Sequence, residues 1–309
     1  MSNLRFSGLR FSGHDTFHCR EQWLLKGLQL VGKKDEQIGF EGGASNLKIN
    51  AAIPELGVGK NMVRSISHWI RAFNIFDEEK NETGELAKIL FKDLSLDPYL
   101  ENQGSLWLMQ YYLCSTQYAS IFKLIICDYF SDKASLEFSE SQIQSFLHRE
   151  IENNKQRAVT DKTLNSDFKV FIKTYVSPKK NIKTVEDDFN TPLLALNLVL
   201  NTGKRNERNE VIYRINRTTQ DSLSPEIFGY CLLREFEGES AIDFDKIRTS
   251  VAAYLCLSNE GLETIIDELQ ESYPQFIYKD DAGIRQIQFK GTSEKFKVKL
   301  LKRHYELHS

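Results

Sequence analysis

The chain has 309 residues, a net charge of −3 and a pI near 6.1, with 41% hydrophobic residues. That is enough for about two domains with real cores, and it excludes a polycationic coat of the histone kind, so any contact with nucleic acid is expected to be local. Five scattered cysteines without a C-x-x-C pair read as reduced thiols, and no apolar stretch nears the ~20 residues that cross a bilayer, so a soluble, cytoplasmic protein without a membrane partner is expected.

In chain order, residues 14 to 31 space Phe17, Trp23 or Leu24, and Leu28 at helical intervals behind Asp15, a good N-cap, and predict an amphipathic helix. Residues 44 to 76 predict a short helix, a turn at Gly57 and Gly59, and a second helix with Val63, Ile66, Ile70 and Phe73 in one apolar stripe and Trp69 beside it. This is helix-turn-helix grammar. The run EKNETGELAKILF predicts a polar turn and then a wing or an edge strand. From Leu106 to Phe130 the chain is aromatic and apolar on more than one face, which predicts buried helix at the centre of the fold.

A polar segment from residue 131 leads to a second helical pair, whose second member carries Leu164, Phe168, Phe171 and Tyr175 on one side. EVIYRINR has strand character. Beyond it, IDFDKIRTSVAAYLCL, the turn SNEG and the helix LETIIDELQES precede QFIYKDDAGIRQIQF, a hairpin with Asp280, Asp281 and Gly283 at its turn. Helix, turn, helix and hairpin together make a winged helix. The expected class is α+β, mainly α, with winged-helix-like units around a helical core. The expected division is 1–130, 131–185 and 186–309.

The glycines before Lys60 raise the question of a phosphate loop. A Walker A loop needs Ser or Thr after its lysine and a buried strand before it, whereas this chain has Asn61 there and Pro54 in the preceding stretch. A tight turn accounts for Gly57 and Gly59 better. In the helix-turn-helix reading the face opposite the apolar stripe presents Lys60, Asn61, Arg64, Ser65, His68 and Arg71 to double-stranded DNA. Asn61, Arg64 and Ser65 are the expected base contacts and Lys60 and Arg71 the backbone anchors, because the amino end of a recognition helix leads into the major groove.

Charge separates the three units. Residues 1 to 76 carry ten basic and six acidic residues, and residues 155 to 183 carry eight against two. The second stretch, through Lys162, Asn165, Lys169 and Lys173, is expected to follow a phosphate backbone. In the third unit, Glu260, Glu263, Asp267, Glu268 and Glu271 would repel DNA, which suits a structural or protein-binding element.

His14, His18 and Cys19 suggest a metal site, but no matching ligand pair occurs elsewhere, and capping and packing explain them more simply. The acidic clusters lie in predicted turns without the ordered spacing of a two-metal nuclease. Neither a catalytic residue, a metal nor a cofactor is expected.

Three blocks together, FSGHDTFHCREQWLLKGL, LGVGKNMVRSISHWIRAFNI and DPYLENQGSLWLMQYYL, resemble the bacterial domain-of-unknown-function family four-thousand-and-seven. Later pieces extend the likeness over most of the chain. The resemblance implies an accessory or DNA-recognition subunit in gene clusters similar to phage-defence and DNA phosphorothioation systems, beside enzymes similar to phosphoadenosine-phosphosulfate reductases. It also implies a histidine where this chain has Gln110. The expected role is thus to bring a partner enzyme of a defence or sulfur-modification complex to DNA, a role with which a homo-oligomer is compatible. The rivals are a nuclease or modification enzyme with an unrecognised acidic site, and a scaffold that touches only proteins.

Overall fold

In the computed structural model, which describes residues 8–31, 49–131, 133–177, 191–281 and 283–308, the first helix, α1 (Glu21–Val31), starts later than the periodicity predicts. Ser12, Asp15 and Thr16 have φ of 69°, 45° and 69°. A right-handed helix cannot pass through such residues, so Asp15 is not a helix cap and residues 14–20 form a loop. Helix α2 (Ile49–Leu56), a turn with φ 64° at Gly57, and α3 (Lys60–Ala72) follow as expected. Val63, Ile66, Trp69, Ile70 and Phe73 are all fully buried, each contributing roughly 1.5–3 kcal/mol. A short hairpin, β1 (Phe76–Asp77) with β2 (Glu82–Thr83), comes next.

The predicted wing or edge strand after it is a helix, α4 (Glu85–Leu90). Leu86, Ala87, Ile89 and Leu90 point inward at helical, not alternating, spacing, and tertiary burial decides the outcome for so short a run. Helices α5 (Gln103–Ser115) and α6 (Ser120–Ile126) supply the expected centre, since every residue of α5 after Gln103 is buried. A helix without a polar face is stable only when surrounded.

The rest contains two units of one topology. In the first, β3 (Glu137–Phe138), α7 (Glu140–Asn153) and α8 (Asp161–Tyr175) precede the hairpin β4 (Val199–Arg205) and β5 (Val211–Ile215), and the antiparallel sheet order is β3-β5-β4. The unit expected to end at 185 therefore draws its sheet from residues up to 215. Helix α9 (Pro225–Glu235) then packs on α5.

The second unit runs from β6 (Ala241–Asp243) through α10 (Phe244–Thr249), α11 (Val251–Tyr254) and α12 (Asn259–Ser272). It closes with β7 (Phe276–Asp281) and β8 (Ile284–Phe289), in the antiparallel order β6-β8-β7. In both units the first strand pairs with the last. Helix α13 (Ser293–Leu307) returns to α9.

One continuous apolar cluster reaches from Cys19 to Tyr305, and all five cysteines lie inside it as free thiols. Gln110, at the position where the family resemblance implied histidine, is fully buried. Its side chain donates to the Tyr254 carbonyl at 2.8 Å and accepts from the Tyr175 hydroxyl at 2.7 Å, which joins α5 to α11 and α8.

Helix α1 meets α3 through Gly27, where an added Cβ would overlap Ile70 and lie 3.0 Å from Ile66. Gly27→Ala is expected to destabilise the chain by about 1–3 kcal/mol despite alanine's better helix propensity. Urea unfolding checks this, and an unchanged midpoint would mean that the helices separate freely.

Candidate nucleic-acid interface

Helix α3 opens with no side-chain cap, because Gly59 occupies the N-cap, so its first N–H groups have no side-chain acceptor at that position. Lys60, Asn61 and Arg64 are exposed there, and Lys60 and Arg64 have no ion pair among the described residues. The amino end of this helix is a surface suited to an anionic group.

The other three residues expected on this face are inside the protein. Ser65, His68 and Arg71 are 0%, 4% and 5% exposed, so they do not face solvent as the sequence suggested. For His68 the physical reason is that α3 is covered on a second side by the loop of residues 11–18. Gly13 lies so close that a Cβ would stand 2.9 Å from His68 Nδ1. His14 and Tyr118 meet the His68 ring at centroid distances of 5.8 and 5.3 Å. Trp69 Nε1 donates to the Phe17 carbonyl at 3.2 Å. Arg71 is turned back on its own helix, donating to the Ser67 carbonyl at 2.7 Å and lying 3.4 Å from Glu78.

The same loop grips α8. Asp167, 2% exposed, accepts the Ser12 N–H at 3.0 Å on both oxygens and pairs with His14 Nε2. The Thr16 N–H donates to His14 Nδ1 at 3.1 Å, so Nε2 carries the proton that His14 gives to Asp167. Both ring nitrogens of His14 are engaged by protein groups. Cys19 is buried, which pushes its thiol well above the usual range and makes it a poor thiolate donor. The motif suggestive of a metal site is thus a clasp between the opening loop, α3 and α8.

On α8, Lys162, Lys169 and Lys173 are exposed and carry no ion pair among the described residues. Their spacing of seven and four residues places them within about 40° of one another, along about 16 Å of helix. Asn165 differs: it is half-buried and donates to Glu140 of α7. Lys179, Lys180 and Lys183 of the predicted basic stretch lie outside the described residues.

Sequence reasoning missed the hairpin beside α8. Lys204, Arg205, Arg208 and Arg214 are exposed on β4, β5 and the turn joining them. Lys204 stands 3.6 Å from Glu137, and Arg205 donates to the Asn209 carbonyl. The local signal was present in GKRNERNE, but only the sheet reveals that this hairpin and α8 belong to one unit. The related second unit has the opposite sign, since Glu260, Glu263, Asp267, Glu268 and Glu271 of α12 are all exposed, as are Asp280 and Asp281 of its hairpin.

The fold defines a mainly helical α+β protein with small antiparallel sheets and cationic surfaces on two helices. The chain belongs to the family described as "Protein of unknown function (DUF4007)", whose model matches residues 11–305. No curated protein matches it. Among solved structures it is similar to "Magnesium ion-bound SspB crystal structure", with a TM-score of 0.78 and 21% identity over 99% of this chain and 91% of that one. It is similar also to "SspB crystal structure", with a TM-score of 0.76 and 20% identity over the same shares. Those likenesses establish the fold across nearly the whole chain.

Burial, with His14, Arg10 and Arg71 nearby, holds His68 well below the ordinary imidazole range, and neither ring nitrogen has a hydrogen-bond partner among the described residues. Burial and His308 likewise lower His304 to about 4. In the unfolded chain both rings take up protons near pH ~6.5, and in the folded chain they do not. Stability is therefore complete above that pH and declines below it, by at most about 1.4 kcal/mol per pH unit for each ring. Between pH 7 and pH 5, His68→Gln is expected to show a smaller loss of stability than the parent chain in urea unfolding.

Proposed function

We propose that the chain is a DNA-binding accessory subunit of a bacterial phage-defence or phosphorothioation-like system, in which it brings a partner enzyme to double-stranded DNA. Membership of the family supports this reading, as does the fold likeness to proteins called SspB. The observation that carries it is the row of exposed Lys162, Lys169 and Lys173, without ion pairs among the described residues, beside a cationic hairpin in a unit whose counterpart is acidic.

The two related units are read as winged helices. In the first, α8 is the helix that approaches the duplex and β4–β5 is the wing. At about 3.4 Å per base step, the lysine row spans roughly five steps of a strand. Lys60, Asn61 and Arg64 make a second contact at the uncapped start of α3. The acidic unit keeps its own helix away from DNA and serves protein contacts.

Replacing Lys162, Lys169 and Lys173 together by alanine is expected to weaken binding to a short duplex. It should also flatten the log–log salt dependence by up to about 3 units, at about 0.9 for every phosphate that a lysine neutralises. Lys60→Ala with Arg64→Ala should lower affinity further, while Glu263→Gln with Asp267→Asn should not weaken it. Filter binding across a salt series reads all three. Unchanged affinity and slope in the lysine variant would sink the proposal and leave the protein-only scaffold. Magnesium-dependent nicking by the purified chain would favour the enzyme reading.

A further inference from the structure

A polar cavity of about 310 Å³ lies where the end of α3, the β1–β2 hairpin and α4 face α9 and α13. It is separate from the cationic residues of α3 and α8. Its size is at the lower end of the roughly 300–1,000 Å³ typical of small-molecule sites.

Most charges on its wall are already paired. Asp77 faces Lys80 at 3.5 Å, Glu82 faces Lys88 at 3.1 Å, and Lys297 holds Glu294 at 2.6 Å and Glu237 at 3.3 Å. Glu85 accepts from Arg234 Nε and from the Tyr230 hydroxyl, both at 2.8 Å. Burial opposes the charge on Glu85, but Arg234 and these bonds outweigh it and hold the carboxyl below its usual range.

Three hydrogen-bonding groups on the wall remain unspent among the described residues. Asn74 is 3% exposed and its Nδ2 has no partner, and Ser115 is 6% exposed and its Oγ has none. Arg234 uses Nε on Glu85 and Nη1 on the Tyr111 hydroxyl, which leaves Nη2 without an acceptor. Asn74 is held in place by its left-handed backbone, φ 51°, and by Gly84, where any side chain would overlap the Asn74 carbonyl. Buried groups such as Asn74 Nδ2 and Ser115 Oγ are costly to leave unpaired, and a site that keeps them is suited to a ligand's acceptors.

We propose that this cavity binds a small zwitterion of the α-amino-acid type. Asn74, Ser115 and Arg234 all offer hydrogens, which suits a carboxylate. The wall as a whole carries six carboxylates against four cations, a surplus of two negative charges. That surplus disfavours a nucleotide or free phosphate and favours a ligand whose ammonium offsets its own carboxylate.

The test is calorimetric titration of the full chain with glycine, L-serine, L-glutamate and L-lysine singly, and with inorganic phosphate and adenosine monophosphate as comparators. At least one amino acid is expected to bind, with an affinity at least about tenfold lower in Ser115→Ala and in Asn74→Asp, since a hydrogen bond to a charged group is stronger than one between neutral groups. Urea midpoints of the two variants show that they fold, and Ser115→Ala, the milder change, decides the matter if Asn74→Asp does not. Binding by phosphate or the nucleotide without any amino acid would overturn the proposal. So would no binding by any compound, or amino-acid binding indifferent to folded Ser115→Ala. None of these outcomes bears on DNA affinity, so this inference and the preceding one fail separately.

Discussion

A buried carboxylate organises the surface of this protein. Asp167 sits on α8 among apolar neighbours and is satisfied by the Ser12 N–H and His14 of the opening loop. Between those two residues, Gly13 lies against His68 of α3. A single constrained turn thus fixes two helices that are far apart in the sequence. An uncompensated buried charge costs several kcal/mol, and the loop that covers Asp167 also supplies the partners that satisfy it. The exposed cations of both helices are then presented by a rigid base.

This base explains why α3 offers fewer polar contacts than its sequence suggests. Helical periodicity identifies one buried face from local spacing, and Val63, Ile66, Ile70 and Phe73 obey it. The second covering surface comes from Gly13, His14 and Tyr118, which are distant in sequence, and it removes His68 from solvent, while Arg71 folds back onto Ser67 and Glu78. Lys60, Asn61 and Arg64, within the first five residues of α3, stay exposed. The exposed cationic surface on α3 is smaller than its sequence suggests, and the hairpin β4–β5 adds cations that the sequence alone did not attach to α8.

Where structure follows local chemistry, the sequence was readable. The strands β7 and β8 pair antiparallel across the turn at Gly283, and the stripe of Leu164, Phe168, Phe171 and Tyr175 on α8 lies fully in the core. Where backbone strain or distant packing decides, it was not. The loop at 14–20 has helical spacing but left-handed residues that no periodicity reveals, and LAKIL at α4 is too short for its pattern to choose between strand and helix. The recurrence of one sheet order in two units of opposite charge depends on strand pairing, which a linear pattern of charges does not contain.

The five buried thiols carry a practical meaning. Cys19, Cys114, Cys231 and Cys256 are all pushed upward by burial, so they resist alkylation and peroxide while the fold is intact. They are spread from the opening loop to the turn after α11 and act as internal reporters of opening. The order in which they become labelled would trace which part of the chain comes apart first, without any dye or added tag.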